Sequence, residues 1–174
     1  QFFAMSGKKF MMDQERLKNS CLQKISEAEE RQQYVSLFIG LLPVVNIQDK
    51  ITLAGTSLEN KEYALCLIMA AQAKAEANAI LSSLGWQEEN FAEFIESKSK
   101  AVERVISVNS AEGIFPILGY SYYKYANSLK EQEPYTALLY LEYALEMSDL
   151  SIYFPEEIGF LKKRFSIKES WYML

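Results

Sequence analysis

The chain has 174 residues, 49% hydrophobic and 24% charged, a composition that supports a buried core and lies far from that of disordered chains. Its 18 basic and 23 acidic residues leave a net charge of −5, so no global basic field gathers nucleic acid. Histidine is absent, which removes His-activated nucleophiles, His-ligated zinc and imidazole pH switches, and seven glycines with four prolines are too few to punctuate a many-stranded β protein.

Residues Gln1–Met12 read as an apolar lead-in with a Ser6-Gly7-Lys8-Lys9 interruption, followed by a single all-α domain over 13–174. A start at Gln1 instead of Met suggests a processed chain or a piece of a longer one. From Asp13, the residues Cys21, Ile25, Ala28, Gln32, Val35, Ile39 and Leu42 recur at alternating gaps of 4 and 3. This spacing predicts one long helix stopped by Pro43, with Lys18, Lys24, Glu27 and Arg31 on its solvated faces. Val44 to Gly55 reads as a loop, and Thr56-Ser57-Leu58-Glu59 as a capping box opening a second helix that ends at Leu84 before Gly85. The alanines at 64, 70, 71, 73, 75, 77 and 79 make that helix a central element that neighbours can approach closely.

A third helix, Glu88 to Val108, carries Phe91, Phe94, Ile95, Ala101, Val102, Val105 and Ile106 on one face, and Asn109-Ser110 breaks it. Pro116 opens a fourth helix to about Lys130, Pro134 a fifth to about Ile152, and Phe154-Pro155 a sixth carrying Lys162, Lys163 and Arg164 near its end. An echo at an offset of 73 pairs Tyr63-Ala64-Leu65, Ile68 and Ala71 with Thr136-Ala137-Leu138, Leu141 and Ala144. The expected architecture is therefore about six helices, packed as antiparallel tetratricopeptide-like hairpins or as an irregular bundle. No segment reaches the ~18 to 20 apolar residues needed to span a bilayer, since Val35 to Ile47 is short and broken by Pro43. Cys21 and Cys66, in apolar helical settings, read as buried free thiols.

No catalytic, metal or cofactor site emerges. Ser57 lies in a Gly-containing turn, but helix capping accounts for it, and no oxyanion loop or S-x-x-K motif surrounds it. Ser6-Gly7-Lys8 lacks the upstream glycine of a phosphate loop. Glu27 with Glu30, and Glu88 with Glu89, read as solvated faces, because a di-metal bundle needs histidines this chain does not have. The candidate binding residues are tyrosines: Tyr120, Tyr122, Tyr123, Tyr125, Tyr135, Tyr140 and Tyr143, with Tyr153 beyond them. A rigid amphipathic ring serves a half-buried helix seam and a recognition groove equally well, and both readings stay open. The end of the chain combines Lys162, Lys163, Arg164 and Lys168 with Phe165, Trp171 and Tyr172, which suits either a plain helix end or a place beside a membrane.

Two segments, NKEYALCLIMAAQAKAEANAIL (Asn60–Leu81) and EPYTALLYLEYALEMSDLSIYF (Glu133–Phe154), resemble the helical region that follows the protease domain in archaeal Lon-like serine proteases. The resemblance implies an accessory domain beside a peptidase whose Ser-Lys dyad lies in a preceding domain, so no catalytic residue falls on this chain. Two functions compete: a non-catalytic interaction domain that docks a protein segment or a linked protease domain, and a helical bundle that binds an apolar small molecule or peptide in a tyrosine-lined pocket.

Overall fold

The computed structural model describes residues 13–39, 45–85 and 88–149. They form six helices, α1 (Gln14–Ile39), α2 (Val45–Glu59), α3 (Tyr63–Leu84), α4 (Glu88–Ala111), α5 (Ile117–Leu129) and α6 (Pro134–Ser148), and no strand among the described residues. The protein is all-α. The lead-in, Tyr153, the helix expected from Phe154 and the basic, aromatic end all lie outside the described residues.

The sequence signals explain most of the helix ends. The Asp13 carboxylate accepts the backbone N–H groups of Glu15 and Arg16 at 3.0 and 3.4 Å, capping α1. Pro134 occupies the first turn of α6, where its missing N–H costs nothing. The stretch Val44 to Gly55, expected as a loop, is instead occupied by α2 from Val45 onward, and Thr56 and Ser57 lie in its last turns and cap nothing. The true break follows Glu59. Lys61 takes a left-handed φ of 64°, its N–H reaches the Leu58 carbonyl at 3.0 Å, and the Glu62 N–H reaches that of Ser57 at 2.8 Å. These two bonds make a Schellman cap. Gly113 (φ 86°) closes α4 in the same way, through Gly113 to Ser110 and Ile114 to Asn109.

The six helices are two copies of one design. α3 packs on α1 and α2, α6 packs on α4 and α5, and α3 packs on α6. Burial repeats along matching helices. On α1, Leu17, Cys21, Lys24 and Ala28 turn inward, and 74 residues later on α4 so do Phe91, Ile95, Lys98 and Val102. At an offset of 72, Ile47 and Ala54 of α2 match Gly119 and Ala126 of α5. At 71, Cys66, Leu67, Ala70, Ala73 and Ala77 of α3 match Ala137, Leu138, Leu141, Ala144 and Ser148 of α6. The echo expected at 73 thus falls on the right pair of helices in the wrong register, since Ala64 and Leu65 are exposed whereas Ala137 and Leu138 are buried.

α3 and α6 run antiparallel, because Lys74 meets Glu146, Glu76 meets Tyr143, and Ser83 shares a cleft with Tyr135. Position 74 maps onto 145 and 146 onto 75, so a pseudo-two-fold axis passes beside the Lys74–Glu146 pair.

Cys21 and Cys66 are not free thiols. They form a disulfide between α1 and α3, with Cα atoms 5.9 Å apart and both residues fully buried, because the α1 seam aims Cys21 at the α3 stripe. Closing a loop across a sequence separation of 45 is worth roughly 4 kcal/mol in the chain-entropy account. α3, at 22 residues and a mean hydropathy of 1.3, is long and apolar enough to cross a membrane, a property the sequence reading assigned to no segment. Eight of its residues are buried in the fold, and Lys74 and Glu76 in its middle are ion-paired there.

Candidate functional site

The tyrosines gather mainly along the α5–α6 seam. Tyr122 stacks on Tyr140 at 5.9 Å between centroids, Tyr125 meets Tyr140 edge-on at 4.6 Å, and Tyr143 lies 5.3 Å from Tyr122. Tyr122, Tyr123 and Tyr140 pack against the core of the second unit. Tyr120 leans on Phe115 at 5.1 Å. Tyr135 stands apart on Phe91 at 4.5 Å, near the start of α6. The seven residues therefore do not line one groove.

Tyr143 is buried, and its hydroxyl donates to Glu76, whose Oε1 also receives Lys50 at 2.8 Å. Burial, and then the carboxylate beside it, pushes the Tyr143 phenol well above its ordinary range. The outer surface of α5 differs. Phe115, Ile117, Leu118 and Tyr125 are each half-exposed or more, and Leu118, Tyr122, Tyr125 and Leu129 recur at gaps of 4, 3 and 4 along one stripe.

The polar centre of the molecule was read from sequence as solvated helix face. Lys24 is only 2% exposed. Its ammonium reaches Glu27 at 2.8 Å and Glu146 at 3.0 Å, and Lys74 reaches the same two carboxylates at 2.9 Å each. Two cations and two anions thus close a square that spans α1, α3 and α6. Burial alone would raise the Glu27 carboxyl, but hydrogen bonds from Lys24, Lys74 and Gln23 outweigh it and hold the pKa at about 2. Burial would likewise lower Lys74, and Glu146 with Glu27 raise it instead. Lys98 pairs with the buried Glu142, which Ser82 also approaches at 3.4 Å. No spacing rule could have found these pairs, because Lys24 and Glu146 lie 122 residues apart.

Two clefts flank α6. One, of about 340 Å³, lies between α2, α3 and α6 with Ile47, Glu76, Ile80, Tyr135 and Leu138 on its walls. The other, of about 510 Å³, lies between α4 and the start of α6 and is lined by Phe91, Ile95, Glu96, Lys130 and Tyr135. Tyr135 borders both. Among the described residues no group of three or more His, Cys, Asp or Glu converges as metal ligands would. Ser57 is buried in the last turn of α2. Comparison of the chain with family models, with curated proteins and with solved structures finds no match.

Proposed function

We propose that the chain is a non-catalytic helical interaction domain that docks a segment of a partner protein on the outer face of α5. The supporting observation is the stripe of Leu118, Tyr122 and Tyr125, apolar and open to solvent, whose tyrosines are held by stacking on Tyr140. Rigid aromatic anchors of this kind contribute contact area at low entropic cost. The partner implied by the sequence resemblance is a linked Lon-like protease domain, and the close α5–α6 packing is in keeping with tetratricopeptide-like hairpins. The test is binding of a purified Lon-like protease domain to this chain by calorimetry. Leu118→Ser with Tyr125→Ala is expected to weaken binding at least tenfold, about 1.4 kcal/mol or more, and to leave thermal stability nearly unchanged because both side chains are half-exposed. Unchanged affinity in the double variant sinks the α5 surface.

A second reading, an apolar small molecule in the clefts on either side of Tyr135, is supported by their apolar walls. Native against denaturing mass spectrometry separates the two, since only a bound small molecule adds mass that denaturation removes.

A further inference from the structure

Three apolar clusters among the described residues divide by unit. Two are built wholly from α1, α2 and α3. The third is built from α4, α5 and α6, with Ala79 as its one member from α3. What crosses between the units is chiefly polar: Glu146 to Lys24 and Lys74, Tyr143 to Glu76 with Lys50 behind it, and Glu142 to Ser82 with Lys98 behind it. Surfaces between domains of one chain are more polar than cores and allow relative motion, and buried ion pairs specify register more than they add stability.

We infer that the square of Lys24, Glu27, Lys74 and Glu146 is a latch that holds two three-helix units, each with its own core, in one register, and that loss of a single charge uncouples them without unfolding either. The intact square is self-satisfied, since each ammonium touches both carboxylates and each carboxylate both ammoniums. Neutralising Glu146 leaves two ammoniums facing one carboxylate with little water, and an uncompensated buried charge is strongly unfavourable. Opening the seam readmits water to that charge and breaks few apolar contacts, because the apolar clusters lie within the units. Opening therefore costs less than unfolding.

The units carry an internal label for the experiment. The first is crosslinked by Cys21–Cys66, and the second has Ile95 and Ala137 at the matching positions. Scanning calorimetry of the full chain should show one transition for the wild type. Glu146→Gln should show two, of which only one moves to lower temperature on adding a reductant, and X-ray scattering below the first transition should give a larger radius of gyration than the wild type. A variant with all four charges replaced (Lys24→Met, Glu27→Leu, Lys74→Met, Glu146→Leu) should return to a single transition, because nothing in its seam demands water. A single transition in Glu146→Gln, or loss of its helical signal as a whole, overturns the latch. Two transitions in the four-fold variant overturn it as well, since the charges would then not be what couples the units.

Discussion

Gly119 and Ser148 meet where α5 comes closest to α6. A Cβ at position 119 would stand 2.0 Å from Ser148 Oγ and 2.9 Å from the Ala144 carbonyl oxygen, so the backbone itself blocks a side chain there. Alanine is the better helix former by ~1 kcal/mol, but overpacking of this kind costs ~1 to 3 kcal/mol. Gly119→Ala is therefore expected to lower the urea midpoint. Ser148 Oγ is buried without a hydrogen-bond partner, and a hydroxyl desolvated in that way costs ~1 to 3 kcal/mol. Ser148→Ala should leave the midpoint unchanged or raise it, and a clear fall would mean the hydroxyl is engaged. In the first unit the same two places hold Ile47 and Ala77, where a large side chain fills the space that the second unit closes by bringing the helices together.

At the scale of the helix, α2 and α1 show what the sequence discloses and what it conceals. The seam of α1 was legible at Cys21, Ala28 and Val35, because apolar residues at gaps of 3 and 4 must share a face, and all three are buried. Lys24, on the same face, was not. A lysine reads as surface until its partners are known, and one of them is on the last described helix. The aromatic character of α5 and α6 was equally plain, but nothing in the spacing separates the rings that fill the seam from those that remain open, since that depends on the crossing at Gly119. α2 was hidden by Gly55 and by Thr56-Ser57-Leu58-Glu59, which imitates a helix start, while the actual stop falls on Lys61, where the rule anticipates glycine. A non-glycine residue in the left-handed region costs ~1 to 2 kcal/mol, so Lys61→Gly should raise the denaturation midpoint, by up to ~1 kcal/mol once the extra freedom of glycine in the unfolded chain is subtracted. A lower midpoint would show that the lysine side chain stabilises the cap by some other contact.

For the whole molecule, the ion pairs set the pH range of stability. Glu27 titrates at about 2 in the folded protein against an ordinary value of 4.5, so the unfolded chain takes up the proton first. Its contribution is complete above about pH 4.5 and is lost as pH falls toward 2. At the other extreme Lys74 is raised from 10.5, so its contribution is complete below that pH and is lost as pH climbs beyond it. Tyr143 is raised from 10.0, so above pH 10 the unfolded chain ionises while the folded one resists, and stability falls there too. Urea midpoints should form a plateau between about pH 5 and 10 with a fall on both sides, and a midpoint level down to pH 2 would contradict the Glu27 pairing. The disulfide adds a consequence of another kind. Cys21–Cys66 closes a covalent ring that encloses all of α2, both of its flanking connections and most of α1. A protease that cuts the backbone once anywhere inside this ring produces a nick and releases no fragment, so the two strands travel as one molecule until the sulfur bridge is reduced.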